Sequence, residues 1–143
     1  MATGAPDAHG PARHVMDSCW QPAVAAVLTN HWLELDYDPP VLANRVILHE
    51  AYNPPPTRPP TVVTVIGVSG QVLVLTNVSS TTATWGAPSG PRPMREVVFS
   101  LTTEPVKTVR LEYPLTSATE IAVDAVALVG PLGRTWATQA RAS

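Results

Sequence analysis

Cysteine is almost missing from this 143-residue chain: Cys19 stands alone, so no disulfide can close within it. The thiol reads as a small buried hydrophobe, with a bridge to a segment outside this chain as the alternative. Charge is scarce as well, at 14% of residues with a net charge of -2. The nine basic residues are dispersed between Arg13 and Arg141 and form no stripe that could track a phosphate backbone, which argues against nucleic acid as a partner. Long hydrophobic runs are absent. Stretches such as Val62 to Val68 fall far short of the roughly 20 residues a spanning helix needs, so no membrane span is expected. The amino-terminal Met1 to Asp7 also lacks the basic-then-apolar layout of a secretory signal.

Signatures of chemistry are thin. His9, His14 and Asp17 lie close together but follow no zinc spacing. There is no Gly-rich phosphate loop; Gly67 and Gly70 flank a strand turn, where glycine supplies positive φ. Hydroxyls are plentiful and histidines number four, yet none forms a recognisable nucleophile–base arrangement. His31 and His49 fall inside strand-like runs, which points to a surface or hydrogen-bonded role. The carboxylates that could make a glycosidase pair are Glu34, Asp36, Asp38, Glu50, Glu120 and Asp124. Glu34 and Asp36 share the face opposite Leu33, Leu35 and Tyr37, so they belong to a solvated outer surface and no enzyme is expected.

What is present is strand. Alternating or β-branched runs occur at 31–37, 42–50, 61–68, 71–76, 82–86, 94–101, 106–113 and 120–129, with turn residues between them. The 16 prolines fall mostly between these runs, where a missing backbone donor does no harm. Pro22 to Leu28 reads as a turn of helix or a loop, and 131–143 as a tail or linker after a sandwich over 1–130. Asn53 to Pro60 is either a rigid crossover or a polyproline II segment offered to a partner. The inward set is Leu33, Leu35, Val46, Leu48, Val97, Phe99, Val109, Leu111, Val126 and Leu128. Trp32 is assigned to the core, Trp20 and Trp85 to positions in or beside loops, and Trp136 to the tail. Asn77-Val78-Ser79 is an N-glycosylation sequon.

Five segments occur in a recognisable order: Ala2 to Asp7; Cys19-Trp20-Gln21-Pro22; Trp32-Leu33-Glu34-Leu35 followed by Pro40-Val41; Val46 to Glu50 with Asn53-Pro54; and Asp124 to Gly130. Over about residues 2–130 this set resembles a bacterial and algal branch of discoidin-like, galactose-binding-like domains, similar to modules of pappalysin-type and other multidomain surface proteins. The resemblance implies a jelly-roll β-sandwich of about eight antiparallel strands. It further implies an extracellular or cell-surface module of a longer chain, used for adhesion, with protein or glycan bound through end loops. Trp20, Asn53, Arg58 and Trp85 are the expected ligand contacts. A structural Ca²⁺ held by Asp7 and Asp124 is implied by the same similarity. The rival expectation is a structural subunit packed into a larger assembly through a sheet edge and the Pro-rich loop.

Overall fold

The computed structural model describes residues 3, 20, 22, 29–50, 58–76, 78, 81–87, 90–116 and 121–143. Ten strands run through them: β1 (Thr29–Val41), β2 (Arg45–Glu50), β3 (Val62–Gly67), β4 (Val72–Leu75), β5 (Thr81–Ala87), β6 (Gly90–Val98), β7 (Val106–Thr116), β8 (Val123–Gly130), β9 (Gly133–Trp136) and β10 (Gln139–Ala142). They build two five-stranded antiparallel sheets, ordered β10-β1-β7-β3-β4 and β5-β6-β2-β8-β9. The fold is the expected all-β sandwich, and each of the eight expected runs holds a strand. Residues 133–142 are not a tail: β9 pairs with β8 and β10 with β1, so each supplies an edge strand to one sheet. Cys19 and residues 23–28 of the expected helical turn lie outside the described residues.

Alternation explains β1 directly. His31, Leu33, Leu35 and Tyr37 are buried, while Trp32, Glu34 and Asp36 are half-buried on the other face. Trp32 is therefore on the outer face and not in the core, because it is one residue out of phase with Leu33. β7 follows the same rule, with Leu111 opposite Leu33 and Val109 opposite Leu35. These residues pack in one apolar cluster with Val46, Leu48, Val97, Val126 and Leu128 of the second sheet. Burying a Leu or Val side chain fully contributes about 1.5–3 kcal/mol, so this set drives the two sheets together.

The centre of the second sheet is buried on both faces. In β2 and β8 the outward Ile47, His49, Ala125 and Ala127 are as inaccessible as the inward residues. Trp136 of β9 accounts for part of that cover, with its ring centroid 5.4 Å from that of His49. Two glycines make the β8–β9 hairpin possible. A Cβ on Gly130 would collide with the Leu42 carbonyl oxygen, and Gly133 has φ +107°, which side chains rarely adopt.

Two local expectations need correction. Phe99 follows β6 outside the strand ladder and is only half-buried against the core, its N–H donating to the Asn44 carbonyl at 2.9 Å. Of the turn glycines, Gly70 has positive φ (+90°) but Gly67 does not; its missing Cβ makes room for the Glu104 carboxylate. Leu111→Ala should accordingly destabilise the domain by about 2–5 kcal/mol, and Phe99→Ala by clearly less, read from urea unfolding midpoints. Equal losses at the two sites would contradict this assignment of faces.

Candidate functional site

Strand register carries three of the four expected ligand positions to one end of the sandwich. Trp20 exchanges backbone hydrogen bonds with Val123 at 2.7 and 2.9 Å, and its ring lies 6.0 Å from that of Tyr113. It is half-buried against the core, which fits a core-lining role. Arg58 is exposed just before β3, whose first residue pairs with Glu112. Trp85 pairs with Arg92 on the edge strand β5, beyond the Met94–His49 pair. Trp85 thus lies within the strand expected at 82–86, near the end of β5 where Ala87 pairs with Gly90. Asn53 and Asp7 lie outside the described residues, as do the rest of 51–57, Asn77 and Ser79 of the sequon, Glu120, His9, His14 and Asp17.

The interior of this end is ionic. Glu50 and Arg95 are each almost wholly buried and meet at 2.6 Å, because the register places Arg95 opposite the inward Leu48 and Glu50 two residues further on. A buried pair of this kind gains little net stability, but removing one partner strands the other charge. Burial, and then the neighbouring Glu50, hold the Tyr113 hydroxyl far above its usual range, with Arg95 opposing. Asp124 is 1% exposed, at the point where the β2–β8 register shifts between His49 and Glu50. Among the described residues no group of three or more His, Cys, Asp or Glu could hold a metal ion.

The outer face of the first sheet carries a lattice of charge. The Arg141 guanidinium on β10 donates from Nε to Glu34 at 2.8 Å and from Nη1 to Asp36 at 2.5 Å. Asp36 also accepts from Thr108 at 2.7 Å, and Arg110 joins Glu34 at 3.3 Å and Glu112 at 3.0 Å. Arg110 lies 4.5 Å from the centre of the Trp32 ring. Hydrogen bonds to Glu34 and then to Asp36 raise the affinity of Arg141 for its proton. The lattice ties β10, β1 and β7 together.

At the opposite end and side lies a cavity of about 200 Å³. Its apolar lining includes Val65, Leu73, Leu101 and Val106, and Gln71 and Glu104 are among its polar lining residues. Thr103 donates to Gln71 at 3.3 Å, and Glu104 accepts from the Ser69 N–H at 3.2 Å across the β3–β4 turn. The cavity opens at the edge strand β4, where Val72, Leu73 and Val74 are 54%, 38% and 53% exposed, with Val68 (48%) and Leu101 (47%) nearby. Among the described residues no strand pairs with the outer side of β4. At this volume the cavity is smaller than the roughly 300–1,000 Å³ of small-molecule sites and matches one or two side chains. Sequence reasoning recognised the strand at 71–76 but not its edge position. The available signal was apolar residues at both alternating positions of Val72 to Leu75, with no charge among them.

His49 and His31 are both buried, which removes the surface alternative of the surface or hydrogen-bonded role expected for them. Burial first, and Arg134 second, lower the His49 imidazole from its ordinary 6.5 to about 4. Between these values the unfolded chain binds a proton that the folded one refuses, so stability falls as pH drops from 6.5 and levels off below 4. At about 1.4 kcal/mol per pKa unit the loss is at most on the order of 3 kcal/mol. His49→Gln should flatten this part of the pH–stability curve measured by urea unfolding, and an unchanged slope would rule His49 out as its source.

Against known proteins, the chain matches no family model, no curated protein and no solved structure.

Proposed function

We propose that this domain is a non-catalytic protein-binding module that takes an added strand at the open edge of β4. The observation that carries the reading is an edge strand with apolar side chains on both faces, no charge, and an apolar cavity opening beside it. Native edges are normally guarded by Lys, Pro, a bulge or a covering segment. The β3–β4 register runs without a shift from Val63–Leu75 to Ile66–Val72, so β4 is a regular template for another strand. Backbone groups would supply affinity, and the incoming strand's inward side chain would fill the cavity over Val65, Leu73 and Val106.

The discoidin-like resemblance supports the class, a binding and adhesion module of a multidomain protein at the cell surface. Binding at the sheet edge comes closer to the rival expectation of assembly than to recognition through end loops. No step of this recognition runs through an ion. Glycan recognition keeps one observation in its favour: Trp32 is half-exposed among Arg110, Glu34 and Ser143. Its weakness is that Arg110 already occupies the ring.

Two arms separate the readings. Panned against a displayed library of extended peptides, the wild-type domain should enrich apolar, uncharged sequences, and the Val72→Lys/Val74→Lys variant should bind them at least tenfold more weakly. Both positions are more than half exposed, so the variant should keep its fold, each change costing about 0.5 kcal/mol or less. On a glycan array the wild type should give no signal that Trp32→Ala removes. Failure to enrich any peptide, together with a Trp32-dependent glycan signal, would replace the protein reading with the glycan one.

A further inference from the structure

We propose that the strand added at the β4 edge is β4 of a second copy of this chain, paired antiparallel about a two-fold axis through Leu73. The proposal rests on the strand-addition reading above and names the occupant. Val72-Leu73-Val74 reads the same in both directions. An axis perpendicular to the sheet at Leu73 therefore sets Leu73 against its own counterpart, and Val72 against the partner subunit's Val74, twice. Because such an axis preserves faces, Val72 and Val74 form one apolar row on the outer side, continuing from Ile66 and Thr64 of β3. The inward Leu73 residues meet at the cavity mouth, so each copy closes the other's opening over Val65 and Val106.

Charge permits this approach. No Asp, Glu, Lys or Arg occurs from Val68 to Val78, so two identical edges meet without like-charge repulsion. The other edge of the same sheet, β10, carries Arg141 inside its salt-bridge lattice. The contact is small. Five apolar side chains, 38–54% exposed, form its centre, whereas a standard interface uses roughly 20–30 residues a side. The dimer is consequently weak and reversible, and fills with concentration instead of being obligate.

Sedimentation equilibrium from about 10 μM to about 1 mM should show the wild-type mass rising from monomer toward dimer. Val72→Lys/Val74→Lys, which sets Lys opposite Lys in this register, should stay monomeric throughout with an unchanged far-UV spectrum. In a Cys19→Ser background, Leu73→Cys should cross-link into a covalent dimer under mild oxidation, and Gln71→Cys should not. A wild type that stays monomeric at the highest concentration overturns the proposal, as does equal association of the double-Lys variant. A dimer that fails to cross-link through residue 73 overturns the register. Monomeric wild type that still binds displayed peptides would sink the dimer and leave the protein-binding reading standing. Dimerisation with no peptide bound would keep the dimer and sink that wider reading.

Discussion

The pairing of β1 with β7 sets the geometry on which the rest of the domain depends. It runs in register from His31–Tyr113 to Asp36–Thr108, and that register decides which side chain of each pair faces inward. Leu33, Leu35, Val109 and Leu111 then present one apolar surface to Val46, Leu48, Val126 and Leu128, and both sheets are fixed by what lies between them. A slip of one residue would send either Glu34 and Asp36 of β1 or Arg110 of β7 into the core, where unpaired charges cost several kcal/mol each. The polar face is thus as much a determinant of register as the apolar one. It penalises the nearest alternative, and in the correct register it becomes the Arg141–Glu34–Asp36 clip that holds β10 in place.

Much of this was legible in the chain. The period-two pattern at 31–37 placed Leu33, Leu35 and Tyr37 inside and Glu34 and Asp36 outside, and the structure agrees. Proline punctuation was less exact: Pro39 and Pro40, Pro91 and Pro93, and Pro114 lie inside β1, β6 and β7, so these strands run past the prolines expected to separate them. Two kinds of information were missing. Edge strands such as Gly133–Trp136 and Gln139–Ala142 are short and carry few large apolar residues, so they produce no periodic signal and read as a tail. Pairing partners are non-local: nothing in Gln71 to Thr76 says whether β4 is flanked on one side or two. The open edge and its cavity depend on that fact alone, as does the meeting of Glu50 and Arg95, which are 45 residues apart.

Tryptophan shows the same limit in single residues. Trp32 and Leu33 are neighbours of opposite face, and the indole's size suggested burial while the alternation placed it outside. Alternation prevailed because the Arg110 guanidinium covers the ring on the outer surface, shielding apolar area without the interior. Trp136 found its partner in His49, a contact between chain positions 87 apart that no local pattern announces.

The two edges of the first sheet are treated differently, and that asymmetry bounds what the domain can build. β10 carries a charged residue, Arg141, clipped to Glu34 and Asp36 of β1, whereas β4 is apolar and regular and, among the described residues, has no strand on its outer side. Were both edges open, copies could add head to tail without end, as in fibres. Under the proposed strand addition, one event uses up the β4 edge, and the charge on β10 disfavours a second addition there. If the added strand is another β4, the product is a closed pair; if it comes from a different protein, the product is a one-to-one complex. Either product of the proposed addition is finite for this sheet, and charge on β10 with none on β4 is the arrangement that favours addition at β4 over addition at β10.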